Sequence, residues 1–492
     1  MLSAAIFIPL AGAAIVWLLP RGRERVQRWS ALAAASLSLV LLIVTWLRFE
    51  GGGSPEQIES MSWIPTLGVG YKVGVDGVSL PLAAMTALLF LAALVFPEDL
   101  RGRARGYYAV MLFLESASLG VFLALDLFLF YVFWDLSLAG MYFVIGVWGH
   151  GDSQRSALKF FLYTLAGSLA MLLAILGLYL ATEPRTFDML EIIRQQPIGG
   201  AGLRATLVFL GFAVAFAIKA PLVPFHTWLP PAHVDAPAPG STILAGVLLK
   251  MGTYGFIRIL MPMLPDAFRR YAVVLGVLGV VSIVYGALVT LAQANLKRLI
   301  AYSSVVHMGY TVLGIAAAGA VATGEVDARA LALTGAVVEM VAHGLITGGL
   351  FLWAGSMWAR AETYDMDVFG GLAGRAPAMT GVTVILAFAS LGLPGLAGFV
   401  AEFQIFVGTF SVYPWLAAIG LLGVVLLAAA FLRMLRQVFL GPGEGRWPGW
   451  ADLRAAEGTA LATLVALTVV IGLAPAWLLS VIDPAATRLT GG

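Results

Sequence analysis

The sequence contains no cysteine, and only 11% of its residues are Asp, Glu, Lys or Arg. The first absence excludes structural disulfides, thiolate-held zinc and thiolate-held iron–sulfur clusters. The second stands beside a hydrophobic content of 60% and a mean hydropathy of +0.94. A water-soluble globule of that composition would have to expose large apolar patches, so that class is excluded too. The net charge is only +2, and the arginines are scattered over short segments rather than gathered in one basic tail, which excludes a nucleic-acid partner. Neither GxxxxGK[ST] nor a strand-linked GxGxxG occurs, so the chain carries no legible nucleotide site.

What the sequence has instead is a recurrence of apolar runs long enough to cross a hydrocarbon core, about fourteen by a span-length window. The chain is read as an all-α polytopic membrane protein. Its first apolar stretch, Met1 to Pro20, is read as a retained span, since no basic region precedes it and no small-residue cleavage site follows. The polar stretches Gly51 to Asp76 and Thr182 to Arg204 are loop-sized, and no separate soluble domain is visible. Arg21, Arg23, Arg25 and Arg28 follow the first span, Arg101, Arg103 and Arg105 follow the third, and Arg155, Lys159, Lys297 and Arg298 fall on later loops of the same side. Because Lys and Arg favour the inner side, both termini are expected on the non-cytoplasmic side and the His226 to His233 loop on the inner side.

Within the spans the informative residues are ionisable, because a charge at the bilayer centre costs about 2.5–3.5 kcal/mol even on the lenient insertion scale. Asp135 lies in "LFLFYVFWDLSLAGMYFVIGVW", Lys219 ends "LVFLGFAVAFAIK", Lys250 sits within "STILAGVLLKMGTYGFIRIL", and Glu402 follows "SLGLPGLAGFVAEF". Lys250 is too far from either end of its run to snorkel, whereas for Lys219 and Glu402 interfacial anchoring competes with a functional role. Pro221 and Pro224 break the helix after Lys219, and Gly392, Pro394, Gly395 and Gly398 interrupt the one before Glu402. Broken helices at membrane depth are tolerated where they line a polar cavity, and paired breaks point to transport sites built from inverted repeats.

The histidines add a second series. His307 lies four residues after Ser303, and His343 four after Glu339, so each pair shares a helix face. Imidazole changes protonation near neutral pH and suits a proton relay, although a lone buried histidine is ordinarily just hydrogen-bonded. His226 and His233 bracket a Trp-Leu-Pro-Pro loop and are expected to brace it, with no third ligand for zinc. Glu115 is also intramembrane and is assigned either to the polar axis or to a contact with a neighbouring subunit. Lys297, directly before Arg298, is expected at the interface, as a topology marker or a point of proton uptake.

"FAIKAPLVPFHTWLPPAHVDAPAPGSTILAGVLLKMGTYGFIRI", "LKRLIAYSSVVHMGY", "MVAHGLITGGLFL" and "LGLPGLAGFVAEF", in that order, resemble the M-type (NuoM-type) antiporter-like membrane subunits of respiratory complex I, NADH:quinone oxidoreductase. The likeness is densest from Leu127 to Phe406, and an acid at Glu402, where sister subunits usually carry lysine, favours the M type. The resemblance implies fourteen helices with two inverted five-helix repeats, broken near Lys219–Pro224 and Pro394–Glu402. It divides the chain into residues 1-106 (helices 1-3), 107-262 (first repeat), 263-440 (second, inverted repeat) and 441-492 (C-terminal loop and helix 14).

The same resemblance implies proton translocation along a lateral hydrophilic axis, driven by quinone reduction elsewhere. Carried onto this sequence, Asp135 is the acid that pairs with Lys219, Lys250 is the connecting lysine, His307 and His343 continue the relay in that order, and Glu402 is the terminal carboxylate. It further implies no cofactor in this chain, with NAD, FMN, iron–sulfur clusters and quinone in partner subunits. The expected partners are N-like and L-like antiporter subunits and lipids, in an inner (cytoplasmic) membrane. Three departures stand out: Asp135 where glutamate is usual, Pro231 where "WLPDAH" would have aspartate, and Glu339 at a usually neutral position. They are read either as benign variation or as marks of a specialised or duplicated M-type copy; the alternative to complex I is an Mrp-type cation/proton antiporter or a membrane-hydrogenase subunit, with the same axis and another driver.

Overall fold

Hydrocarbon supplies no water to backbone N–H and C=O groups, so an isolated apolar run can cross it only by satisfying those groups within a helix. The computed structural model, which describes residues 1–320, 326–441, 447 and 449–491, shows the apolar runs as helices throughout. The chain opens with α1 (Leu2–Leu18) and α2 (Glu24–Leu47). A β-hairpin follows, β1 (Glu56–Ile64) pairing antiparallel with β2 (Val69–Val75). Then come α3 (Ser79–Val95), α4 (Ala104–Leu123), α5 (Leu127–Trp148), α6 (Ser153–Tyr179), the short α7 (Met189–Gln195), α8 (Leu203–Lys219), α9 (Leu229–Asp235) and α10 (Ala238–Met263). The second half holds α11 (Pro265–Leu291), α12 (Leu296–Ala318), α13 (Val326–Ala361), α14 (Pro377–Ser390), α15 (Ala397–Val412), α16 (Pro414–Phe439), α17 (Ala455–Leu473) and α18 (Ala476–Thr490).

Among the described residues ten helices are long and apolar enough to cross a membrane, and α1, α3, α14 and α15 are shorter apolar ones. Their burial is graded. The apolar windows of α10, α12 and α13 are 100%, 94% and 89% buried, against 33% for α2, α16 and α17. The first three therefore form the centre, where a polar side chain is sealed from lipid. The last three present Leu37, Val40 and Ile43 (α2), Leu422 and Val425 (α16) and Val470 (α17) outward, as a lipid-facing surface requires.

Two stretches read as loops carry regular structure. Gly51 to Asp76 contains the hairpin, and Thr182 to Arg204 contains α7. Both are fixed by carboxylates that the loop reading had no reason to single out. Asp126 caps α5 by accepting from Phe128 N (2.9 Å) and Leu129 N (3.0 Å), and also accepts from Gly70 N at 3.0 Å. Lys72 pairs with Asp188 at 2.6 Å, and Asp188 caps α7. The hairpin thus ties the ends of α5 and α7 together. The C-terminal unit expected at 441-492 includes 442–446, 448 and 492, which lie outside the described residues.

A buried ion pair joins α10 to the start of α3. Arg258 Nη2 lies 2.5 Å from Asp76 Oδ2, with both side chains under a tenth exposed. Arg258 Nε donates to the Tyr254 hydroxyl (2.9 Å), which donates to the Phe122 carbonyl (2.9 Å). Asp76 spends its other oxygen capping α3 through Val78 N and Ser79 N. Removing the guanidinium would leave a carboxylate buried without its counter-charge. Arg258→Met is therefore expected to cost about 3–5 kcal/mol of stability, and Arg258→Met with Asp76→Asn to recover part of it. Unfolding followed by helix signal in detergent checks both; equal losses in the single and double variants would remove the pair from this account.

Candidate functional site

The first break begins where α8 ends at Lys219. Pro221 and Pro224 cannot donate to a helical ladder, so the chain must find other partners before α9. It does: Trp228 Nε1 donates to the Ile218 carbonyl (3.0 Å), Leu222 N to Ala217 O (3.0 Å), and Val223 N to Ser282 Oγ on α11 (2.9 Å). The Lys219 side chain, 1% exposed, turns inward with Nζ 5.0 Å from the centroid of the Trp134 ring, where the aromatic face offers a cation partial neutralisation. Nζ has no hydrogen-bond partner among the described residues.

Asp135, the next residue on α5, was expected to pair with Lys219. Among the described residues no salt bridge joins them, although the two are within Coulombic reach. Asp135 is only partly buried and accepts a short hydrogen bond from Ser168 Oγ on α6. With one methylene fewer than glutamate, its carboxylate is held by α6 rather than reaching α8.

Lys250 occupies the middle of α10, which has π-helical turns on both sides, Leu244–Leu248 and Phe256–Leu260. Such turns shift carbonyls out of the i→i−4 ladder and recur at functional sites. Here the Ala245 carbonyl, in the first π-turn, accepts from Lys250 Nζ at 2.5 Å. The same Nζ lies 2.6 Å from His343 Nδ1 on α13. The ring centroids of His343 and His307 are 5.1 Å apart, so in space the residues follow one another as Lys250, His343, His307. This reverses the expected order of the two histidines; helix spacing could not reveal which of them faces α10.

His307 on α12 is held at both ring nitrogens. Nδ1 shares a 2.9 Å hydrogen bond with Glu339 Oε1, and Nε2 a 2.9 Å bond with Ser390 Oγ. Glu339 was expected to serve His343, four residues along its own helix, but its observed partner is His307. Ser390 is the last residue of α14 and stands at the second break. Beyond it Gly392 adopts φ +67°, and a Cβ there would lie 2.4 Å from Glu402 Oε2; at Gly398 a Cβ would lie 2.0 Å from the Ala389 carbonyl. Only glycine lets the two halves of the broken span close onto the Glu402 carboxylate. Glu402 is 6% exposed and within Coulombic reach of Glu339 and His307.

The accessory residues separate into used and unused. Lys297, the second residue of α12, is fully buried within the protein, donating to the Ala236 carbonyl (2.6 Å) and lying 4.9 Å from the Tyr364 ring centroid. Tyr364 lines a polar cavity of about 580 Å³ together with Glu98, Asp99, Arg101, His150 and Glu362. His233, stacked on Phe351 with centroids 4.5 Å apart, has both ring nitrogens unpartnered among the described residues and lies within Coulombic reach of Lys297 and Lys250. It therefore stands between the cavity and the central lysine. His226 packs edge-on against Tyr285 and joins neither group. Glu115 is fully buried, with both oxygens unpartnered among the described residues. It lies beneath the chain's surface, and among the described residues no charged neighbour links it to the axis.

Glu98 was missed by sequence reasoning. A Pro-Glu-Asp after an apolar run reads as an interfacial loop, and only the folding of that loop over α10 and α12 turns the carboxylate inward. Its partly enclosed seat pushes the Glu98 carboxyl up to about 7, with Lys297 pulling the other way. Burial, aided by Lys297 and Arg101, pushes His150 down to about 4.

The site defines a polytopic antiporter-like membrane subunit: two interrupted spans joined by a buried line of lysine, histidine and carboxylate. Residues 124–427 match the family model described as NADH:quinone oxidoreductase/Mrp antiporter, TM, and the chain belongs to that family. It is 39% identical to NADH-quinone oxidoreductase subunit M of Pseudomonas aeruginosa, over 96% of this chain and 93% of that one. Its fold is similar to a chain of respiratory complex I from Thermus thermophilus, with a TM-score of 0.89, 32% identity and 100% of both chains covered. It is also similar to a chain of the Mrp complex from Dietzia, with a TM-score of 0.85, 25% identity, and 100% of this chain and 52% of that one covered.

A carboxyl that titrates near 7 when folded, against an ordinary 4.5, makes a signed prediction. Between those values the folded chain keeps a proton that the unfolded chain has released, so stability falls as pH rises through the window. Glu98→Gln is expected to flatten that slope. Unfolding temperatures in detergent across the window test it, and an unchanged slope would move the titration elsewhere.

Proposed function

We infer that this chain is the M-type antiporter-like subunit of a proton-pumping NADH:quinone oxidoreductase, carrying protons through the membrane while redox chemistry proceeds in other subunits. The observation that carries the reading is the contact line from Lys250 through His343 and His307 to Ser390, inside the most enclosed spans and ending at a broken helix that closes on Glu402. A proton needs donors and acceptors in close succession and a path sealed from lipid; Lys250–His343 and His307–Ser390 are at hydrogen-bond distance, the two rings between them are 5.1 Å apart, and the enclosing spans keep lipid away. Protons enter from the Glu98 cavity by way of Lys297 and His233. Lys219 acts as the switch: Asp135, within Coulombic reach, stabilises its ammonium, and displacing that carboxylate frees the lysine to pass its proton toward Lys250.

Moving one charge against 100 mV costs about 2.3 kcal/mol, so the driver lies outside this chain. NAD, FMN, iron–sulfur clusters and quinone are placed in partner subunits, with N-like and L-like antiporter subunits as neighbours in the inner membrane and both termini on the non-cytoplasmic side. The inverted repeats are read as α4 to α10 and α11 to α16, close to the expected bounds 107-262 and 263-440 but with α4 starting at Ala104 and α10 ending at Met263. The interrupted span, α8/α9 or α14/α15, comes fourth in each, which supports that division. The likeness to an Mrp chain supports a second reading, a cation/proton antiporter subunit with the same axis and another driver. Neighbouring genes for quinone-site and iron–sulfur subunits would decide for the first.

Proton pumping normalised to NADH oxidation, in membranes carrying wild-type protein, Lys219→Ala and Asp135→Glu, tests the switch. Lys219→Ala is expected to lose most of the pumping, and Asp135→Glu to keep it, since the longer carboxylate approaches the lysine more closely. Unchanged pumping in Lys219→Ala would reduce the first break to a scaffold.

A further inference from the structure

Glu339 stands where the central polar spans meet. Lys250 approaches it from α10, His307 and Tyr310 from α12, Glu402 from α15, and His343 from its own helix. Its Oε1 is taken by His307 Nδ1 at 2.9 Å, while Oε2 has no partner among the described residues. His343, one helical turn further along, has the complementary pattern: Nδ1 is taken by Lys250 and Nε2 is unpartnered among the described residues. The two imidazoles face each other at 5.1 Å between centroids and 51° between planes, with no hydrogen bond between them among the described residues. A proton arriving on His343 therefore needs an intermediary, and residues four apart on a helix are close enough for one to serve the other.

We propose that Glu339 is an in-line proton carrier between His343 and His307, rather than a group that only orients His307. This rests on the reading of the chain as a proton-translocating subunit. Glu339 begins as the carboxylic acid, its Oε1–H donated to His307 Nδ1 and its Oε2 free to accept, the donor-plus-acceptor capacity of a protonated carboxyl. Lys250 passes a proton to His343 Nδ1. His343 releases its Nε2 proton to Glu339 Oε2 as the Oε1–H bond breaks and that proton goes to His307 Nδ1. The carboxyl's single and double C–O bonds exchange; rotation of that group, with flips of the His343 and His307 rings once each is left as its neutral Nδ1–H tautomer, restores the starting arrangement. His307, now charged, gives its Nε2 proton to Ser390 Oγ, which releases its own toward Glu402. Each transfer breaks and forms one bond to hydrogen, and no net charge remains on Glu339.

Glutamine distinguishes carrying from bracing, because it keeps the volume and, through its amide N–H, a donor for His307 Nδ1 but cannot take up and release a proton. Aspartate keeps the titration with a shorter reach. The intact complex in sealed membranes, bearing Glu339→Gln, Glu339→Asp or Lys250→Ala, is assayed for pumping per NADH oxidised, with assembly checked by NADH oxidation to an artificial acceptor. Expected is a loss in Glu339→Gln as large as that in Lys250→Ala, substantial retention in Glu339→Asp, and loss of one protonated-carboxyl band from the infrared spectrum of Glu339→Gln. Wild-type pumping in Glu339→Gln, with Lys250→Ala disabled in the same preparation, would overturn the carrier role. Loss in both Glu339 variants with no infrared change would overturn it in favour of bracing. Intact pumping in Lys250→Ala would instead overturn the underlying proton-path reading.

Discussion

An unpaired backbone amide or carbonyl in hydrocarbon costs several kcal/mol, and the molecule is organised around the places where it breaks its helices regardless. At the first break Trp228 and Ser282 supply the missing partners; at the second, glycines allow the chain to fold back on itself. Each break frees space and backbone direction for one ionisable side chain, Lys219 at one and Glu402 at the other. The same constraint explains the π-turns around Lys250, where a carbonyl displaced from the ladder becomes an acceptor for the ammonium. Polar function at membrane depth here rests on interruptions that are satisfied locally.

The burial gradient follows from the same economy of contacts. The helices that carry Lys250, His307 and His343 are the most enclosed, and helices with outward leucine and valine surround them. A lysine on α2 or α16 would face lipid; on α10 it meets His343. The β-hairpin, unexpected in an otherwise helical chain, lies at the ends of the spans, where Asp126 and Asp188 can hold it with ordinary hydrogen bonds and an ion pair. It fastens helix ends without intruding on the polar line.

The three departures from the family pattern have different structural standing. Asp135 is drawn to Ser168, so the shorter acid alters the partner rather than merely the distance. Glu339 takes His307, on another helix, as its hydrogen-bond partner. For Pro231, at the first turn of α9, the structure gives no reason beyond compatibility with a helix start.

Much of the architecture was legible from residue order alone. Long apolar runs dictate helices in a membrane, prolines after Lys219 and glycines before Glu402 dictate breaks, and a charge at mid-span is too costly to be incidental. Those inferences are local: each depends on one stretch of chain and on a solvent without hydrogen bonds. What the tertiary structure decided is who meets whom. That His343 precedes His307, that Glu339 serves the histidine of another helix, that Lys297 is buried and that Glu98 turns toward it all depend on rotations of one helix against another. Periodicity sets the face a residue shares with its neighbours in sequence. It carries no information about which helix that face will meet, because that is settled by packing among residues far apart in the chain.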